Sequence, residues 1–195
     1  MDKRRCVWVR NDRRMIDYHD REWGVPLHQD RKLFEFLVLE GMQAGLSWST
    51  ILNKRESFRK AFSRFNPVAV ARFTGRDTRR LLGDAGIIRN RLKIEAAVNN
   101  AQRFLEVQKE FGSFDRYIWQ FVDGKPLKNE RRSVSEIPAS TALSDAISKD
   151  LKQRGFKFVG STIIYAHMQA TGMVNDHVTG CFRYKECKAL AKKGN

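Results

Sequence analysis

The sequence has little that would staple it or anchor it. Its 195 residues contain three cysteines, Cys6, Cys181 and Cys187, too few and too scattered for a disulfide framework. In a reducing compartment such thiols are free or bind metal. No run of about 18 apolar residues occurs, which excludes a membrane-spanning helix. The charged start, Met1-Asp2-Lys3-Arg4-Arg5, lacks the apolar stretch of a secretory signal, so the chain is expected in the cytoplasm, associated with the nucleoid. No segment alternates apolar and polar residues long enough to propose a sheet, and there are no repeats. Acidic residues are also scarce: 22 Asp and Glu face 37 Lys and Arg, a net charge of +15. That excess favours a polyanionic partner, of which nucleic acid is the usual one. Anionic lipid is disfavoured, because no basic amphipathic segment stands alone at either end.

What is present is helical periodicity, and the expected fold is all-α: one domain over residues 1–195, in two helical lobes. Asp30 reads as the N-cap of a helix from Arg31 to about Ala44, ended by Gly45. Ser47, Asn66-Pro67, Ser113, Thr141 and Ser161 read as further helix starts, and Thr74 with Asp77 as a capping box. A long helix is expected from about Arg91 to Val107, with Ile94, Ala97, Val98, Ala101, Phe104 and Leu105 on its apolar stripe. The polar stretch from Asp123 to Pro138 reads as a long loop, and a short basic tail begins at Lys185.

Between two of these helices, Leu81-Leu82-Gly83-Asp84-Ala85-Gly86-Ile87-Ile88-Arg89-Asn90-Arg91 forms a tight, glycine-containing turn. Glycine lets backbone N–H groups approach a phosphate, and the start of the next helix adds a favourable dipole. With Arg89, Arg91 and Lys93 supplying charge, residues 81–93 read as a helix-hairpin-helix gripping one DNA strand through its backbone, without sequence preference. An ordinary αα-hairpin with Gly83 as C-cap fits the same letters.

One acid sits where burial forbids it. The helix after Asp30 is apolar on nearly every side, and Glu40 shares a face with Leu33, Phe36 and Leu37. A buried carboxylate must be paired, neutralised or used. A structural ion pair is one reading. A pocket is the other, favoured because the helix runs into Gln43-Ala44-Gly45-Leu46-Ser47-Trp48. Acid plus aromatic suits a cationic planar base, with charge at its edge and stacking on its face. Trp8, Tyr18, Trp23 and Trp48 gather in this part of the chain, although core filling is the ordinary role of tryptophan. Leu46, on the loop before Trp48, is a candidate wedge for the duplex.

His177-Val178-Thr179-Gly180-Cys181 is an H-x3-C pair, and Cys6 with His19 a looser one. Two sulfurs and two imidazoles make a tetrahedral zinc set with no open position, hence structural. Such a site would join the chain ends and close a very long loop. Two unrelated thiols and two unrelated histidines fit the same spacing. His28 and His167 lack a spaced partner and read as satisfied or solvated; Cys187 reads as a free thiol.

Five blocks in order carry a resemblance: Tyr18-His19-Asp20-Arg21-Glu22-Trp23-Gly24-Val25-Pro26, Leu39-Glu40-Gly41-Met42-Gln43-Ala44-Gly45-Leu46-Ser47-Trp48, Asp84-Ala85-Gly86-Ile87-Ile88-Arg89-Asn90-Arg91, Gly155-Phe156-Lys157-Phe158-Val159-Gly160 and Val174-Asn175-Asp176-His177-Val178. Together they resemble the bacterial 3-methyladenine DNA glycosylase I family from Cys6 to about Cys181. The resemblance implies a monomeric, all-α member of the helix-hairpin-helix superfamily, holding alkylated double-stranded DNA between its lobes. It implies one structural zinc on Cys6, His19, His177 and Cys181. Glu40 and Tyr18 would hydrogen-bond the excised base, Trp48 would stack on it, and Trp8 and Trp23 would line the pocket. Many superfamily members place a catalytic aspartate after the hairpin; here the helix reads Lys93-Ile94-Glu95-Ala96-Ala97, as the resemblance implies. The activity implied is excision of 3-methyladenine in base excision repair, leaving an abasic site without strand cleavage. Where family members carry Asp-Pro-Leu, this chain has Asp12-Arg13-Arg14, expected to add charge and slacken the turn.

Overall fold

The computed structural model describes residues 3–193; Met1 and Asp2 of the charged start and residues 194 and 195 of the basic tail lie outside it. A 3-10 turn at Val7–Val9 leads into α1 (Arg13–Arg21), α2 (Asp30–Gln43), α3 (Trp48–Ala61), α4 (Pro67–Ala71), α5 (Gly75–Gly83), α6 (Arg91–Phe111), α7 (Phe114–Trp119), α8 (Ala142–Gln153), α9 (Ser161–Ala170) and α10 (Phe182–Lys193). The chain is mostly helical, as expected. The departure among the described residues is one parallel pair, β1 (Leu127–Lys128) and β2 (Val174–Asn175), with Leu127 opposite Val174. Two residues per strand are too few to leave a period-two pattern. No helix among the described residues is long and apolar enough to cross a membrane.

Most helix starts obey local capping chemistry. The Ser47 hydroxyl accepts from Thr50 N, Asn66 accepts from Val68 N and Ala69 N ahead of Pro67, and Thr74 and Asp77 form the capping box. Two starts differ. Gln29, not Asp30, is the N-cap of α2; the Asp30 carboxylate instead accepts from Phe114 N at 2.9 Å and Asp115 N at 2.8 Å. It therefore satisfies the first turn of α7, some eighty residues on, where a carboxylate also complements the helix dipole. Gly160 is the N-cap of α9, and Ser161, its first residue, bonds Ser144 Oγ and Asp145, tying α9 to α8. Asp12 caps α1 through Arg14 N and Met15 N, and accepts from Ser49 Oγ. The turn is held, not slackened. The tail from Lys185 is largely the helix α10, with Tyr184 and Cys187 buried.

Helix α2 positions the site. Every residue from Leu33 to Met42 is buried, because the helix packs against α3, α6, α7 and α9. The large apolar cluster built on it runs from Leu33 to Val174. A smaller cluster gathers Cys6, Val9, Tyr18, Trp23, Phe36, Val178 and Cys181, bringing the two ends of the chain together.

Candidate active site

Between these clusters lies a pocket of about 380 Å³. Its walls include Trp8, Tyr18, Trp23, Glu40 and Trp48, drawn from the N-terminal turn, α1, the turn that follows it, α2 and α3. All five sequence candidates therefore meet in one place. The rings pack edge-on and tilted: Trp8 and Trp23 have centroids 5.0 Å apart, Tyr18 and Trp48 5.3 Å. Sequence reading missed Met15, Val134, Ile137, Ala166 and Gln169, which complete the lining with Gln43. None breaks a sequence pattern, and Val134 and Ile137 come from the long loop before α8.

Glu40 is 4% exposed and has no hydrogen-bond or ion-pair partner among the described residues. Burial pushes its pKa up to about 8, because a carboxylate without compensating donors is costly in a low dielectric. The same burial, then the nearby Glu40 charge, drives the Tyr18 phenol well above its usual value. The indole N–H of Trp48 is sealed without an acceptor. Among the described residues Glu40 makes no ion pair; the ion-paired acid of α2 is Glu35. Glu35 contacts Arg55 Nε at 2.6 Å and Arg59 Nη2 at 2.8 Å, and Arg55 also reaches Glu22 at 2.8 Å.

Beside the pocket, Cys6, His19, His177 and Cys181 are all buried, with their potential ligand atoms within 4.8 Å of one another. Cys181 Sγ lies 3.4 Å from His19 Nε2 and 3.6 Å from His177 Nδ1. The outer ring nitrogens are also engaged: His19 Nδ1 with Asp20 at 2.8 Å and His177 Nε2 with the Trp23 carbonyl at 2.9 Å. Such partners fix the tautomer that aims the other nitrogen inward. The contact between the two thiols lowers the pKa of Cys181 and raises that of Cys6. Gly24, at φ +76°, passes so close that a Cβ there would stand 3.0 Å from the His177 ring. The donor set could hold a metal ion.

A short turn joins α5, which ends at Gly83, to α6, which starts at Arg91. Asp84 Oδ1 accepts from Gly86 N at 2.8 Å, and Asn90 caps α6 through Lys93 N. A Cβ on Gly86 would meet Ser57 of α3 at 2.9 Å, so this glycine also permits close packing. Arg89 and Arg91 are exposed, and Leu46 is 41% exposed. Lys93 is engaged within the chain. Its ammonium is buried, donating to Met42 O at 2.9 Å and Ala44 O at 2.6 Å, because the carbonyls ending α2 need donors. Lys54, not anticipated, donates to Ala85 O in the turn.

The remaining titratable residues divide. His28 is satisfied by Asp115 at 2.8 Å. His167 is neither satisfied nor solvated: it is buried with both ring nitrogens unpartnered, and burial lowers its pKa to about 4. Cys187 is a free thiol, as expected, but buried, which raises it to about 11.

The methyladenine glycosylase family model matches residues 8–184. The DNA-3-methyladenine glycosylase 1 of Escherichia coli (strain K12) is 53% identical over 180 residues, 92% of this chain and 96% of that protein. The DNA-3-methyladenine glycosylase of Haemophilus influenzae is 47% identical over 177 residues, 91% of this chain and 96% of that protein. A crystal structure of a 3-methyladenine DNA glycosylase I matches with TM-score 0.90 at 52% identity, covering 92% of this chain and 98% of that one. A variant solved in complex with 3-methyladenine matches with TM-score 0.89 at 38% identity, over 91% of this chain and 96% of that one.

Proposed function

This chain belongs to the methyladenine glycosylase family, and on that premise we propose that it excises 3-methyladenine from alkylated double-stranded DNA in base excision repair, leaving an abasic site. The observation that carries the reading is Glu40, a buried acid without a partner among the described residues, facing a pocket walled by aromatic rings. Methylation at N3 makes adenine cationic, so the glycosidic bond is weak and the base departs as a neutral molecule. The protein needs to accept a flipped nucleotide, read it, and favour an oxocarbenium-like sugar until water adds. Glu40 and Tyr18 hydrogen-bond the base, Trp48 stacks on it, and Trp8 and Trp23 close the sides. With a pKa of about 8, Glu40 is largely neutral in the empty pocket at pH 7; a cationic base favours its anion. Among the described residues no lysine lines the pocket, which supports base release without a lyase step.

Arg89, Arg91 and the backbone around Gly86 grip phosphates as a helix-hairpin-helix, and Leu46 enters the gap left by the flipped nucleotide. The duplex lies between two lobes of a single domain, and one chain suffices, since the pocket is complete within it. Cys6, His19, His177 and Cys181 hold one structural zinc: two thiols and two imidazoles match its ligand preference, with Asp20 and the Trp23 carbonyl orienting the rings. The ion fastens the segment bearing Trp8, Tyr18 and Trp23 and supplies no chemistry to the reaction. The deciding experiment is release of free 3-methyladenine from methylated duplex DNA at catalytic protein concentration. Tight binding of the damaged DNA with no base released would identify a lesion sensor instead.

A further inference from the structure

Asp176 follows Asn175 of β2 and is 1% exposed. Its carboxylate accepts from Asn129 Nδ2 at 2.6 Å, Tyr165 OH at 2.6 Å and Gln169 Nε2 at 2.8 Å, with Arg131 Nε 4.0 Å away. Asp176 Oδ2 accepts from both the Tyr165 hydroxyl and Gln169 Nε2, so the Gln169 amide turns its NH2 toward Asp176. Its carbonyl oxygen is then left as a free acceptor, and no donor among the described residues reaches it. Gln169 lies on α9 and lines the pocket with Glu40 and Tyr18. The segment carrying Asn129 continues to Val134 and Ile137, which also line it, and its Arg131 carbonyl accepts from Thr179 N at 2.8 Å. One buried acid thus orients an amide in one wall and tethers the loop that forms another.

We propose that Gln169 is a specificity-determining residue that accepts a hydrogen bond from the exocyclic amine of the bound base, and that Asp176 is its positioning residue. This rests on the glycosylase reading. An adenine-type base offers an N–H donor to the amide oxygen; a 6-oxopurine offers an acceptor, leaving two lone pairs face to face and a polar group unpaired. Replacing Asp176 with asparagine supplies an N–H, which lets the Gln169 amide reverse and lose its preference.

The test uses the full, metal-loaded chain as wild type, Gln169→Met and Asp176→Asn. Tryptophan fluorescence measures affinity for 3-methyladenine and for 3-methylhypoxanthine, which carries an oxo group in place of the amine, and a single-turnover assay follows base release. Wild type should prefer 3-methyladenine by about tenfold or more. Gln169→Met should weaken 3-methyladenine binding by about five- to tenfold and leave the oxo analogue nearly unchanged. Asp176→Asn should narrow the ratio similarly; Gln169→Met stands alone if that variant does not fold. An undiminished ratio in a well-folded, active Gln169→Met overturns this assignment alone. A wild type that releases no 3-methyladenine overturns both it and the glycosylase reading.

Discussion

Helix α2 buries two acids five residues apart and treats them in opposite ways. Glu35 meets Arg55 and Arg59, and Glu22 shares Arg55, so its charge is compensated on the flank of α3. Glu40 faces rings and no cation. The first arrangement serves stability: removing one member leaves the others uncompensated. The second sacrifices stability for a group that becomes useful when a cationic ligand arrives. Burial alone does not mark function; burial without a partner, at the wall of a cavity, does.

The largest expected effect tests whether the two regions are independent. Stripping metal, or Cys181→Ser, should destabilise the chain by several kcal/mol and abolish base binding, because the pocket half that carries Tyr18 and Trp23 loses its clip. Cys187→Ser should retain metal and cost about 1–2 kcal/mol, the price of a buried hydroxyl. Metal analysis with thermal melting decides; equal losses in both variants, with no metal in either, would refute the staple.

Next comes Glu35→Ala, expected to cost about 3–5 kcal/mol in denaturant unfolding while excision per folded molecule stays near wild type. Glu40→Gln should do the reverse, lowering excision by about ten- to a hundredfold, as for a lost charge-assisted hydrogen bond. Its stability effect has a definite sign. The folded-state pKa of about 8 lies above the usual 4.5, so the native state binds the proton more tightly than the unfolded chain. The contribution is complete below pH 4.5 and is lost as the pH rises to 8. Glu40→Gln removes that dependence, so its melting temperature should gain on wild type between pH 4.5 and 8 and hold the gain above. The wild-type kcat/KM should rise through about pH 8 as the free-enzyme carboxyl ionises. A variant that melts early at every pH, with activity tracking the folded fraction, would return Glu40 to the same class as Glu35.

The smallest effects belong to the hairpin. Neutralising Arg89 or Arg91 should weaken damaged and undamaged duplex alike, by a few-fold, and reduce the salt slope by about 1 per residue. Lys93→Met should leave that slope unchanged and lower stability instead, since its ammonium serves the Met42 and Ala44 carbonyls. Loss confined to lesion-bearing DNA in the arginine variants would move them from the phosphate grip to the pocket.

The sequence by itself determined what depends on near neighbours in the chain. Helical periodicity, the caps at Ser47, Asn66 and Thr74, and the anomaly of an acid amid the apolar residues of α2 are all written within a few turns, where backbone geometry dictates spacing. Cys6, His19, His177 and Cys181 could be nominated by chemistry, though only the fold brings them within reach of one another. Tertiary structure alone decided partners across the chain. It sent Asp30 to cap α7, turned Lys93 inward to the end of α2, and sealed His167 between helices without a hydrogen bond. It also gave Glu35 two arginines while leaving Glu40 none, and aimed Gln169 by way of Asp176. Each of these depends on which surfaces of distant helices meet. Solvent exclusion and donor–acceptor matching there act through space, and no local pattern of residues encodes them.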